Sequence, residues 1–151
     1  MSVASEFPGV TPQLRVGDTD AAIQFYRVAF GADELVRSAA PDGRVFHAEL
    51  LINGGRLLLH DDLPGTLHPD GFAAAPIVLH LYVRDVDAVF AAAVAAGATS
   101  VRHPENVFWG DRYAVVRDPF GHHWSLATPR EDLSADEVRE RGEEWARRHI
   151  S

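Results

Sequence analysis

The strongest constraint on this chain is that it carries one pattern twice. LRVGDTDAAIQFYRVAFGADEL, residues 14 to 35, and LYVRDVDAVFAAAVAAGATSV, residues 81 to 101, each pass from an apolar-alternating strand through D-x-D-A into a helical stretch ending at Gly-Ala. Val16, Asp18, Asp20 and Ala21 match Val83, Asp85, Asp87 and Ala88 at an offset of 67, and Gly31-Ala32 match Gly97-Ala98 at 66. The two helices therefore differ by one residue. A self-match of this kind is read before anything else, because it sets the unit from which the fold is built.

Within each copy an Asp caps a helix N-terminus, and apolar residues recur at helical spacing, Ala22, Phe25, Tyr26 and Ala29 in one, Val86, Val89, Phe90 and Ala93 in the other. Gly then closes the helix. Strand signals follow: DELVRSA, RVFHAELLI and RLLLHD in the first copy, SVRH, RYAVVRD and HHWSLAT in the second, separated by Gly-containing turns. Such turns between short β-rich runs mark hairpins. The fold class is α+β: two tandem βαβββ repeats, at 10–62 and 77–128, of mostly antiparallel strands with helices on one face. They form one domain, 8–133, with a Pro/Gly-rich connector at 61–76. A C-terminal helix is expected over 134–151, opened by a capping box at Ser134 and Glu137 and weakened by Gly142.

At 151 residues, 46% hydrophobic and 24% charged, the chain can bury a real core and is not a disordered sequence. Its formal charge of −8 opposes a nonspecific grip on nucleic acid or anionic lipid and suits a neutral or cationic small ligand. Having no cysteine, it has neither disulfides nor thiolate metal ligands. No stretch reads as a leader or a membrane span, so the cytoplasm is the expected compartment. Neither a phosphate-cradling glycine loop nor a G-x-S-x-G elbow occurs, which leaves nucleotide cofactors and serine hydrolysis unsupported.

The repeat, the opening TPQLRV, the HAELLI strand, the LHLYVRDVD start of the second copy, the FWGDRY turn and the DPFGHHWSLAT close occur in an order that resembles the glyoxalase/bleomycin-resistance/extradiol-dioxygenase superfamily, the vicinal oxygen chelate proteins. The PhnB-like branch is the most similar, over about Val10 to Leu133. The resemblance implies that each half curls its sheet into an open cup with helices outside, and that the protein is a homodimer. In metal-dependent relatives, His and Glu ligands come from the first and last strand of each repeat. Carried onto this chain, those positions fall at Thr11, at Leu58 or Leu59, at Val78 and at Ser125. None supplies the imidazole or carboxylate that zinc, nickel or iron require. No metal cofactor is therefore expected at the family's usual site.

Alternation along a strand sends neighbours to opposite faces. If Trp124 and Leu126 pack on the helices, His123 and Ser125 face the cup and His122 stays at the turn. By the same rule Phe46, Ala48, Leu50 and Ile52 pack inward toward the helix, which turns His47 and Glu49 into the cup; His80 and its counterpart Gln13 face it from the first strands. His47, Glu49, His80 and His123 form the alternative set for a divalent metal. Asp61-Asp62 reads as a solvated chain exit, and Asp118-Pro119-Phe120-Gly121 as a hairpin turn.

Phe108, Trp109, Asp111 and Arg112 form the most distinctive motif, read either as a lid that stacks on a ligand and orients it or as a structural plug. The candidate ligand-binding residues are thus Gln13, His47, Glu49, His80, Phe108, Trp109, Asp111, Arg112, His123 and Ser125; no catalytic residue is assigned. The leading expectation is a metal-independent binder of a small cationic or aromatic molecule, acting by sequestration, with no nucleic-acid or membrane partner. The alternatives are a metal-dependent lyase, isomerase or dioxygenase, and a module that recruits a protein through its C-terminal helix.

Overall fold

Asp18 and Asp85 start the two main helices in the same way: each adopts an extended backbone and its carboxylate accepts a hydrogen bond from the N–H three residues on, Ala21 or Ala88. The computed structural model describes residues 9–61 and 77–150. Most of the expected connector, including Asp62, lies outside the described residues. The chain divides into two compact units, Met1–Phe72 and Ala73–Ser151, and the division falls within that connector.

The first unit runs β1 (Gln13–Arg15), α1 (Thr19–Phe30), β2 (Asp33–Ala39), β3 (Val45–Ile52) and β4 (Gly55–His60). Its sheet has the order β1-β4-β3-β2, with β1 parallel to β4 and the other neighbours antiparallel. Asn53 and Gly54, both at positive φ, make the tight β3–β4 turn that an Asn-Gly pair favours. Ala22, Ile23, Tyr26 and Ala29 of α1 are buried, as are Ala48, Leu50, Leu57 and Leu59 of the sheet.

The second unit repeats this: β5 (Val78–Tyr82), α2 (Val86–Ala95), β6 (Thr99–Asn106), β7 (Asp111–Arg117) and β8 (His123–Pro129), in the order β5-β8-β7-β6 with β5 parallel to β8. Leu81, Val86, Ala93, Ala114, Val116, Trp124 and Leu126 form its core. Asp118 is 2% exposed and organises the β7–β8 turn, accepting from the N–H groups of Phe120 and His122 and from Trp124 Nε1, each at 2.9 Å. The third helix, α3 (Ala135–His149), opens with the Ser134–Glu137 capping box. No helix among the described residues is long and apolar enough to cross a membrane.

Two expectations fail in the first unit, for one connected reason. Phe46 does not pack on the helix: it is 51% exposed, and Val45 is buried instead. The β2–β3 register passes from Ser38↔His47 to Ala39↔Val45, skipping Phe46, so this residue is the extra one in a bulge. Asp61 is not a solvated exit either. It is buried, and its two carboxylate oxygens accept from the Thr19 N–H at 2.6 Å and the Val45 N–H at 2.7 Å, while its own N–H donates to the Val45 carbonyl. Val45 is thereby pulled inward, and alternation is interrupted at Phe46.

Burial alone would raise the Asp61 pKa, but hydrogen bonds from Thr19 and Val45 and the charge of Arg44 outweigh it and hold the carboxyl below the ordinary value. A lowered folded-state pKa means that the stabilisation is complete above the ordinary aspartate value of 3.8 and fades as pH falls through the lowered one. Asp61→Asn turns an amide nitrogen toward one of the two backbone donors; near pH 7 it is expected to cost about 1–3 kcal/mol in urea unfolding. Below about pH 4 the wild-type protein should lose stability more steeply than the variant, and parallel curves would refute the assignment.

Candidate functional site

In the second unit the face of the sheet turned away from α2 carries an aromatic cluster. Along β5, Leu81 is buried while Val78, His80 and Tyr82 are exposed on the opposite side, and the parallel register sets His80 opposite Ser125 and Val78 opposite His123. His80 Nδ1 and Ser125 Oγ are hydrogen-bonded at 2.6 Å. Around this pair, Tyr82 meets the His80 ring edge-on at 4.6 Å, and Tyr113 lies nearly parallel to it at 6.3 Å. Arg102, ion-paired with Glu105, holds its guanidinium 5.2 Å from the centre of the Tyr113 ring. This arrangement offers flat apolar surface beside polar imidazole and hydroxyl groups.

The corresponding face of the first unit is charged. Glu49, with a side chain 15% exposed, accepts from Arg56 at 2.8 Å and lies 3.3 Å from His47 Nε2. Gln13 pairs with Leu58 in the register that His80 and Ser125 occupy in the second unit. This equivalence settles which leucine is the counterpart of Ser125: Leu58, since Leu59 is fully buried on the helix side. Thr11, Leu58, Val78 and Ser125 do not fit a metal, having no imidazole or carboxylate among them. Of the alternative set, His47 and Glu49 belong to the first unit, His80 and His123 to the second. Among the described residues, no three His, Asp or Glu side chains are grouped so as to hold a metal ion.

The FWGDRY turn is the seat of the C-terminal helix. Phe108 meets the Trp145 ring at a tilt, their centroids 5.6 Å apart, and its ring would lie 3.3 Å from a Cβ added to Gly142, so the glycine that weakens α3 also lets it approach. Gly110, at φ +94°, leaves no room for a Cβ, which would come within 2.9 Å of Leu133; its carbonyl accepts from the N–H groups of Arg130 and Glu131. Trp109 donates to the buried Asp111 carboxylate at 3.1 Å and touches Tyr113 at 5.1 Å, which links the turn to the aromatic cluster. Arg112 faces the other way. It grips Asp87 in the first turn of α2 with two hydrogen bonds, 2.7 and 3.0 Å, and the hydrogen bond from Arg112 holds the Asp87 carboxyl below its usual range.

Tyr82, Tyr113, Arg56 and Arg102 were not assigned to the site from the sequence, Tyr113 entering only as the last residue of the FWGDRY motif. The first three are two residues along a strand from a position that was, or from its cross-strand partner, so continuing the alternation would have found them. Arg102 gave no such signal, because the β6–β7 register is irregular on both sides of it.

Residues 10–126 match the model of the Glyoxalase/Bleomycin resistance protein/Dioxygenase superfamily. A protein of Mycobacterium tuberculosis, Rv0887c, is 47% identical over 136 residues, covering 87% of this chain and 80% of its own. Among solved structures, TioX from a Micromonospora species is similar at 27% identity with a TM-score of 0.64, over 83% of this chain and 99% of that one. The PhnB protein from Bacillus cereus, at 18% identity and a TM-score of 0.65 over 79% of this chain and 98% of that one, shares the fold.

The packing predicts different outcomes for two neighbours in the turn. Gly110→Ala forces a side chain into Leu133 at a positive φ and should cost about 1–3 kcal/mol in urea unfolding. Arg112→Ala removes an exposed ion pair with Asp87 and a hydrogen bond to Asn106, and should lower the melting temperature far less than Gly110→Ala. The reverse order in a melting assay would contradict the roles given to them.

Proposed function

The chain belongs to the Glyoxalase/Bleomycin resistance protein/Dioxygenase superfamily, and on that premise we propose that it binds a small aromatic or cationic molecule without the usual family metal, and acts by sequestering it as a cytoplasmic homodimer. The observation that carries this reading is the open-face cluster of His80, Tyr82, Tyr113 and Ser125. Tyr82 is 58% exposed. Aromatic contacts in favourable geometry add about 0.5–1.5 kcal/mol each beyond the area they bury, enough for two or three to separate a specific ligand from a casual one. The formal charge of −8 favours approach of a cation. Exposed Leu35, Val36 and Phe46 support pairing with a second copy.

Metal content of tag-free protein and a thermal-shift screen of cationic and aromatic compounds test the reading together. No stoichiometric metal is expected, and a bound compound should raise the melting temperature in wild type and in Glu49→Ala but not in Tyr82→Ala or Tyr113→Ala. Stoichiometric zinc, nickel, manganese or iron that disappears in His47→Ala or Glu49→Ala would replace binding with the metal-dependent lyase, isomerase or dioxygenase.

A further inference from the structure

The pairing of a buried hydroxyl with an exposed imidazole has a chemical consequence for the ligand. Ser125 is 3% exposed, in a strand flanked on both sides by β5 and β7. Its hydroxyl proton needs an acceptor, since a buried donor left without one costs about 1–3 kcal/mol. Among the described residues, the group hydrogen-bonded to Oγ is His80 Nδ1 at 2.6 Å. A neutral imidazole that accepts at Nδ1 carries its proton on Nε2. Because the two nitrogens lie on different sides of the ring, a His80 that directs Nδ1 into the sheet directs Nε2 away from it. The ring is also held in place, edge-on to Tyr82 and nearly parallel to Tyr113.

We infer that Ser125 fixes the tautomer of His80 so that Nε2–H is a hydrogen-bond donor on the open face of the second unit, and that the ligand there is a planar aromatic bearing an acceptor oxygen, a carbonyl or a phenolate. This rests on the binding reading above and narrows it. The flat surfaces of Tyr82 and Tyr113 take the ring, and Nε2–H takes the oxygen. A quaternary ammonium compound with no acceptor oxygen satisfies only the aromatic half of this arrangement. Ser125 is a positioning residue: it acts on the ligand through His80.

Two measurements test the inference separately from the binding reading. Long-range proton–nitrogen correlation spectra of nitrogen-15-labelled protein at about pH 8, above the ordinary histidine range, read the tautomer without any ligand. Wild type and Ser125→Thr should show the Nε2–H form of His80, and Ser125→Ala a mixture; an Nδ1–H form in wild type overturns the inference. The second measurement titrates matched pairs of planar aromatics, one member a ketone or phenol and the other lacking the oxygen. Wild type should prefer the oxygenated member by about tenfold, the effect of one hydrogen bond, and His80→Phe should lose the preference while retaining binding. Equal affinities in wild type overturn the ligand class while leaving the binding reading intact. Failure of every compound, with the Nε2–H form present in the spectra, overturns the binding reading and the ligand class together but leaves the Ser125–His80 assignment standing.

Discussion

The contact on which each unit depends is the tie between the end of its last sheet strand and the beginning of its helix. In the first unit Asp61 accepts the Thr19 N–H; in the second Thr128 Oγ1 accepts the Val86 N–H at 2.8 Å and donates to the Val83 carbonyl. The donor residues are 67 apart and so are the acceptors. The first amide groups of a helix have no partners within it, and here one of them reaches across to the fourth strand. That contact holds the helix start beside the parallel β1–β4 or β5–β8 pair, and so decides which face of the sheet is covered. The second bond differs: the other oxygen of the aspartate holds the Val45 N–H, whereas the threonine hydroxyl holds the Val83 carbonyl.

Once the covered face is decided, alternation allots the other residues. The helix-facing positions are apolar in both units, while the open positions have diverged: Glu49, His47 and Arg56 in the first, His80, Tyr82 and Tyr113 in the second. The FWGDRY turn adds a contact that has no counterpart among the described residues of the first unit, for it supports a third helix through Phe108 and Trp145. Its residues divide between three tasks. Phe108 and Gly110 seat the helix, Trp109 and Asp111 brace Tyr113, and Arg112 clamps α2.

Much of this was legible in the chain. D-x-D-A marks both helix starts because Asp is an effective N-cap, and the capping box at Ser134 and Glu137 marks the third. Period-two alternation placed Ser125 and His80 together opposite the helices, since both features depend only on local geometry. The parts that were not legible depend on nonlocal pairing. Phe46 fits an apolar alternation in the sequence, and only the Asp61–Val45 bond shows why that alternation stops one residue short. An Asp at the end of a strand looks solvated until the helix start that needs it is in place. Arg112 follows the same rule, because nothing in FWGDRY indicates that the first turn of α2 lies within reach of its guanidinium.

The separation of covered from open positions also bears on how such a protein can change. Replacements at Tyr82, His123 or Arg56 alter the open face without entering the apolar set that secures the helices, so the fold and the chemistry of the open face mutate nearly independently along the same strands. A duplicated unit doubles that freedom, since each copy keeps its own helix tie while its open face varies. One scaffold can then carry unrelated open-face chemistries after few replacements, and even close sequence relatives can differ there.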